Sequence, residues 1–526
     1  MRRVLMFIGF VGISIIPAIA DTATEAQLDS LENVWDDTTL DEVVVTGTRT
    51  PKLLKDSPVL TRVISSADIR KSDATNISDL LQSELPGIEF SYSMNQQVSL
   101  NMQGFGGNAV LFLIDGERVA GETLDNVDFS RLNLNDAGKV EIVKGAASSL
   151  YGSNAVGGVV NIISRESVEP WTLNVNARYG QHNEQRYGVN FGLNAGKFSN
   201  SLSAQYTRID SYNMKNEGDY DRFYGGKTYN LKDRLTFKLN DKLKFTGRVG
   251  YFFRERNSAE TLHDRYCDFS SGIKGVYDIS RATNLEVSYA FDQYDKSDYM
   301  LTTHRDVRDY SNTQNIWKAI LNHTFAEKHI LTVGADVMRD YLMTYQFVDN
   351  GHKRQITADG FAQIDLNFHK NFNLIAGGRY DYFSESNMKH FSPRVNAMYK
   401  LNEFSFRGSY AGAFRAPTLK EMYMNFDMAG IFMIYGNADL KPESSNNFQL
   451  SAEYTRGLFN ATLGGFCNLV DKPHHHGMES SNERHGIYQY RQYDHQRCGC
   501  QCVVALSMGS RSTCLICIYA RACPQG

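Results

Sequence analysis

From Trp171 to about Val470 apolar and polar side chains alternate in runs of about ten residues, the period of strands with two unlike faces. Leu243, Phe245, Gly247, Val249 and Tyr251 interleave with Lys244, Thr246, Arg248 and Gly250, after a turn at Asn240-Asp241. Ala362, Ile364, Leu366 and Phe368 interleave with Gln363, Asp365 and Asn367. His369-Lys370-Asn371 then turns the chain, and Phe372, Leu374, Ala376, Gly378 and Tyr380 resume the pattern, as Phe404, Phe406 and Tyr410 do later. Short turns on one side and longer polar loops on the other fit an outer-membrane barrel, although a soluble sandwich would show similar alternation. No segment after residue 20 is apolar for the roughly 18 residues of a spanning helix. A membrane life must therefore be led by strands, whose edges have to be paired because lipid offers no hydrogen bonds. The 30 Phe, 29 Tyr and 42 Gly beside only 10 Pro agree with abundant strand.

Residues 1–20 run from Met1-Arg2-Arg3 through an apolar stretch to Ala18-Ile19-Ala20, the order of a secretory signal cleaved before Asp21. Residues 21–40 belong to a stretch rich in carboxylates and without Lys or Arg, which predicts a flexible tether. Residues 41–49 follow, with Glu42, Val43, Val44, Val45 and Thr46 at their centre. This β-branched run favours an extended strand. It has no obvious partner in its own chain, so it could be lent to another protein's sheet edge or serve as an ordinary first strand.

Residues 50–165 predict a compact α/β unit. Ser66-Ala67-Asp68-Ile69 and Asn76-Ile77-Ser78-Asp79 are capped helical starts, and Leu85-Pro86-Gly87 stops the second helix. Strands are expected at 87–90, 98–102, 110–114 and 140–143. The run Lys144-Gly145-Ala146-Ala147-Ser148-Ser149 lacks the Gly-Lys-Ser/Thr ending of a phosphate loop. With 55 Lys+Arg against 59 Asp+Glu, a net charge of -4, no basic excess points to nucleic acid. No nucleophile, base and orienter form a catalytic set, so the chain is not expected to be an enzyme.

Several motifs in order resemble the TonB-dependent outer-membrane receptors over about residues 41–470. Glu42-Val43-Val44-Val45-Thr46 resembles the TonB box, the strand that the energy-coupling protein grips. Gln103-Gly104-Phe105-Gly106-Gly107, with Asp115-Gly116 after it, resembles the plug core. Val140-Glu141-Ile142-Val143-Lys144-Gly145 and the segment up to Ile163 resemble the plug's last hairpin. Phe414-Arg415-Ala416-Pro417 with Asn437-Ala438-Asp439-Leu440 resembles the barrel's paired loop motifs. The resemblance implies a mainly β protein, an α/β plug inside an antiparallel transmembrane β-barrel, in the outer membrane of a Gram-negative bacterium. It implies a transport receptor driven through TonB with ExbB/ExbD, with outer-membrane lipid and a surface lipoprotein as further partners to be expected. A wide barrel would leak without a plug. Glu141, Lys144 and Arg165 are read as plug charges that pair with the barrel wall or with one another.

Its cargo class is iron chelates, haem or cobalamin, with no permanent cofactor and no resident metal. The resemblance is nearest the haem branch, which uses a histidine on the plug apex and another in the loop between the paired barrel motifs. Here that loop holds Met422, Met424, Met428 and Met433, and the apex offers Tyr92 and Met94. Met94 with Met428 would make a thioether clamp for haem iron, or the methionines would only line a soft pocket. Cobalamin or a siderophore is the alternative cargo, and a passive pore or adhesin is the alternative class.

At about 20 residues per strand and loop, residues 171–470 provide some 14 or 15 strands, short of the roughly 22 of such transporters. Residues 471–526 lose the alternation and hold six of the eight cysteines. Cys514-Leu-Ile-Cys517 near His474, His475 and His476 has ligand-like spacing. The reading preferred here is an out-of-frame tail, a frameshift near His474, and a truncated product that does not assemble.

Overall fold

The structure is a computed structural model describing residues 42–522, except 75, 86–87, 93–97, 103, 123–125, 214–221, 349–350, 429–431, 457–458, 472–473, 480–483, 490–494 and 509–511. The expected signal and tether lie outside the described residues. So does Met94, and of Met428 only the backbone is described.

The N-terminal unit is built on a five-stranded sheet in the order Thr61–Ser65, Ala137–Lys144, Gly158–Ser164, Val110–Ile114, Glu117–Arg118. Gly158–Ser164 runs antiparallel to Ala137–Lys144 and parallel to Val110–Ile114. Two helices cover it. Ser66–Lys71 starts one residue earlier than the sequence suggested, because Ser65 and Asp68 form a reciprocal capping box. Ile77–Glu84 is capped by Asn76, which accepts from the Asp79 N–H. Ile64, Ile77, Leu80, Leu81, Val140, Ile142 and Val160 meet in a single apolar core.

Around this unit wraps an antiparallel sheet of 17 strands. Fifteen of them lie between Trp171–Gly180 and Phe459–Asp471, in keeping with the sequence count. His495–Met508 and Ser512–Ala522 add two more from the C-terminal segment. Among the described residues no ladder joins the first strand to the last, so the sheet is not closed.

The distribution of side chains is inside out for a soluble protein. Leu450 is 73% and Val249 50% exposed, whereas Asp365 is 1% and Asp381 0% exposed. Trp171, Ile273, Phe391 and Leu463 join the outward set, and Lys318, Arg379, Arg394 and Arg407 the buried one. Apolar out and charged in is stable only with hydrocarbon outside and a polar filling inside. A charge turned to the lipid at mid-depth would cost about 2–4 kcal/mol. No helix of the described residues is long and apolar enough to cross a membrane, so crossing falls to the strands.

Strand bounds also set the orientation. Turns of two or three residues at 196–197, 241–242, 281–282, 326–328, 370–371 and 402–403 share one mouth. The connections 210–225, 345–351 and 416–442 share the other. Short turns face the periplasm in such barrels and long loops face outward.

Candidate functional site

The short-turn mouth holds the segment read as a TonB box, and the structure gives it a partner that the sequence did not reveal. Val43–Val44 pairs antiparallel with Lys52–Leu53, only eight residues on. Val44 is fully buried and Val43 exposed. Beyond the strand the backbone is held by one carboxylate: Val45 N–H and Thr46 N–H donate to Glu141 Oε2 at 3.0 and 2.8 Å, and Thr46 Oγ1 donates to the same oxygen at 2.6 Å. Lys139 pairs with Glu141 Oε1 at 2.9 Å and donates to the Val43 carbonyl. Tyr151 OH donates to the Thr46 carbonyl at 3.0 Å. Burial raises the Glu42 carboxyl above its ordinary value, with Lys139 opposing and Glu141 adding to the rise. Glu141 was expected to pair with the barrel wall or with Lys144 or Arg165. It fastens residues 45 and 46 instead, from a strand that lies inside the plug sheet between Thr61–Ser65 and Gly158–Ser164.

Barrel residues reach the same segment. Gln363 Nε2 donates to the Thr48 carbonyl at 2.9 Å and Arg394 Nη2 to the Gly47 carbonyl at 2.6 Å. Lys52 pairs with Asp365 at 2.5 Å. Lys144 meets the wall through its carbonyl, which accepts from Gln449 Nε2 at 3.1 Å. Arg165 is half-buried and its N–H donates to the Asp136 carbonyl at 2.8 Å.

Halfway along the bore, Arg379 is ringed by Asp336, Asp359 and Asp381 at 3.4, 2.5 and 2.9 Å. The three aspartates stand opposite one another on adjacent strands, an arrangement that repels unless cations fill it. Arg379 and the plug's Arg118 also donate to carbonyls of the single-turn helix Ser148–Tyr151 and the residues after it, at Leu150, Tyr151 and Ser153. Glu117 pairs with Lys318 at 3.0 Å. Burial alone would raise the Glu117 carboxyl, but Lys318 and Arg248 bring it down to about 2.

At the long-loop mouth the two loop motifs come together. Thr418 and Glu421 cap the helix Leu419–Tyr423 reciprocally. Arg415 pairs with Glu421 at 3.0 Å and with Glu443 at 2.9 Å, tying the ends of the 416–442 connection. Ala416 N–H donates to Ser153 Oγ at 3.0 Å, so this anchor also touches the plug. Phe414 is fully buried and stacks on His390. Asn437 N–H donates to the Glu421 carbonyl at 2.9 Å, and Asp439 N–H to Asn437 Oδ1 at 2.9 Å. Leu440 packs on Met424 in a small core with Phe426 and Ile434.

Beside the plug at this mouth lies a cavity of about 320 Å³. Tyr92, Phe223 and Tyr224 supply aromatic walls, and Arg186, Arg208, Lys227, Arg254 and Arg256 the cations. Arg254 pairs with Asp128 at 3.0 Å. Burial opposes ionisation of Asp128, but Arg254, Ser130 and Tyr294 hold its carboxyl below the usual value.

The structure therefore separates the residues expected to bind cargo. Tyr92 lines the cavity. Met424 is buried under the loop as core, and Met433 lines a different, shallow surface with Tyr345, Phe347 and Phe426. The plug glycines are structural: Gly104 and Gly116 take positive φ of 84° and 83°, where glycine avoids a Cβ clash. Gly106 sits in the short strand Phe105–Gly106, and Asp115 accepts from Ser164 N–H and Oγ, both at 2.9 Å. The arginines of the cavity were missed because only strand register places them beside Tyr92. His474, His475, His476, Cys514 and Cys517 lie where only the backbone is described.

Comparison with known proteins gives the geometry a context. A family profile described as TonB dependent receptor-like, beta-barrel matches residues 170–471. A second, TonB-dependent Receptor Plug Domain, matches residues 54–159. An iron-regulated outer membrane virulence protein of Vibrio cholerae is 28% identical over 463 residues, covering 82% of this chain and 69% of that protein. A vitamin B12 transporter BtuB of Vibrio vulnificus is 24% identical over 460 residues, covering 82% and 71%. Among solved structures, the siderophore receptor PirA of Acinetobacter baumannii superposes with a TM-score of 0.71 at 18% identity, covering 85% of this chain and 78% of that one. A mutant of the ferric enterobactin receptor PfeA of Pseudomonas aeruginosa gives 0.73 at 17%, covering 88% and 79%.

Proposed function

The chain belongs to the TonB-dependent receptors of the Gram-negative outer membrane, and on that premise we propose that it captures and imports an anionic, aromatic ferric chelate of the siderophore kind. The observation that carries the reading is the 320 Å³ chamber at the outer mouth, where five cations face three carboxylates beside four aromatic side chains. Guanidinium groups recognise anionic oxygen donors, and aromatic rings and cations both favour π-rich ligands. Cobalamin, which the BtuB relative carries by name, has no comparable need for a cationic wall. The iron-regulated relative supports iron as the element gained.

Haem was the first expectation from the sequence. The described methionines give it no support, since Met424 is core and Met433 lines a surface other than the chamber that Tyr92 lines. Work for import enters through residues 42–46, passed from TonB, with ExbB/ExbD behind it.

Uptake of radioiron-labelled ferric catecholate, haem and labelled cobalamin by cells expressing this chain in a receptor-deficient strain tests the proposal. Ferric catecholate uptake is expected. Replacing Arg186 by Ala is expected to weaken its binding about tenfold, the size of one charge-assisted contact. Uptake of cobalamin alone would reject the reading.

A further inference from the structure

Two cavities lie one below the other on the same pair of barrel strands. The outer chamber is lined by Gly226, Lys227 and Thr228 and by Arg254, Glu255 and Arg256. A second cavity of about 80 Å³ is lined by Asn230, Lys232, Asp233 and Arg234 on the first strand and by Arg248 to Phe252 on the second. Gly226 stands opposite Arg256, and Lys232 opposite Gly250. The second cavity is thus about five residues, roughly 15 Å, nearer the periplasm along the wall.

One turn of the plug divides them. Asp128, Phe129 and Ser130 line the outer chamber, and Arg131, the next residue, lines the inner one. Phe129 roots this 3-10 turn, Phe129–Arg131, in the plug core, edge-on to Phe90 and Phe112. Its neighbours reach the barrel instead. Arg131 Nη2 pairs with Asp268 at 2.6 Å and Asp292 at 3.1 Å. Asp128 takes Arg254 at 3.0 Å and the Tyr294 hydroxyl at 2.8 Å. The contact between turn and wall is polar and charged, so it can be exchanged for contacts with water or an anionic chelate more readily than an apolar seam.

We propose that the Asp128–Arg131 turn is the gate of the permeation route, and that cargo passes from the outer to the inner chamber along this wall. The inference rests on the reading of the outer chamber as the cargo site. Below the gate the walls carry both charge signs, with Asp115, Asp136 and Asp233 facing Lys232, Arg234 and Arg248. A hydrated chelate of either net sign finds partners there without a deep trap. On the other wall the plug comes close to the barrel at two glycines, and among the described residues the 60 Å³ pocket beside Pro58 and Leu60 has no chamber lined by the Asp128–Arg131 turn above it. A Cβ on Gly145 would lie 1.8 Å from Gln449 Nε2, and one on Gly152 2.7 Å from Arg379 Nη2.

The test fills each wall in turn in the full chain expressed in cells. Ala290→Trp occupies the inner chamber, and Ser451→Trp occupies a 60 Å³ pocket on the other wall beside Pro58 and Leu60. For Ala290→Trp, binding of labelled ferric catecholate to de-energised cells should stay within about twofold of the parent, while uptake falls at least about tenfold. Ser451→Trp should match the parent in both. If Ala290→Trp prevents assembly, Ala290→Leu replaces it, with a smaller loss expected. Normal uptake by the Ala290 variants, or equal losses on both walls, overturns the route. Arg131→Ala should raise the conductance of the purified receptor in planar bilayers without cargo, and Arg131→Lys should restore most of the seal. Unchanged conductance in Arg131→Ala overturns the gate. Absence of ferric catecholate uptake by the parent would reject the cargo reading alone, since the conductance arm needs no cargo.

Discussion

Glu141 is fully buried and spends one oxygen on three donors of the box and the other on Lys139. Hydrogen bonds to a charged acceptor contribute about 1.5–3 kcal/mol, so neutralising it should shift the box toward its released state. Glu141→Gln is expected to let the periplasmic domain of TonB bind the cargo-free receptor about tenfold more tightly, read by fluorescence anisotropy. Equal affinity for parent and variant would remove the latch. Glu117 makes a pH prediction on the plug's other side. Its carboxyl sits at about 2 when folded, against an ordinary 4.5. A depressed value stabilises the folded state above the ordinary value, so the contribution is complete above about pH 5 and fades as pH falls toward 2, by about 3 kcal/mol in all. Plug release, followed by limited proteolysis, should therefore rise between about pH 4.5 and pH 2.5, and less so in Glu117→Gln. An identical acid profile in that variant would rule out Glu117 as a cause.

Strands, turns and caps were the most legible elements, because period and turn chemistry are local. The helix before Lys71 was displaced by one residue, since either Ser65 or Ser66 could cap it until the Asp68 partner was seen. The pairing of Val43–Val44 with Lys52–Leu53 was illegible: two residues carry too little pattern to declare a partner. The loop motifs were legible as motifs, but not Arg415 as their tie. Its partners lie 6 and 28 residues away and only the strand end brings them to one guanidinium. Arg415→Lys cannot serve both carboxylates bidentately. It is expected to loosen the 416–442 connection, measured as faster proteolytic nicking there, with the plug's nicking unchanged. Equal nicking of this loop in the parent and in Arg415→Lys would refute the tie.

For the whole molecule, the inside-out burial was readable because every strand repeats it, whereas the charged lumen was not. Asp336, Asp359 and Asp381 look unrelated in sequence and become one cluster only through register. The same is true of the arginines around Tyr92, so the proposed cargo chamber escaped sequence reasoning, whereas residues 42–46 stood out as a β-branched run. Among the described residues no ladder joins Trp171–Gly180 to Ser512–Ala522, and an unpaired edge in lipid is costly. Heat-modifiable migration of the full chain from outer membranes is expected if the tail strands or a further segment complete the wall. A chain that never shifts on heating would support the reading of a tail out of frame.

The account as a whole predicts energy-coupled import through a strand lent from the short-turn mouth. Val43 is exposed and is not among the donors to Glu141, so Val43→Pro removes an N–H that a lent strand would use while leaving the Glu141 contacts to Val45 and Thr46 in place. The decisive measurement is uptake of labelled ferric catecholate by cells carrying Val43→Pro, beside binding to the same cells. Parental binding with uptake reduced to the level of a strain lacking TonB is predicted; parental uptake would contradict the account.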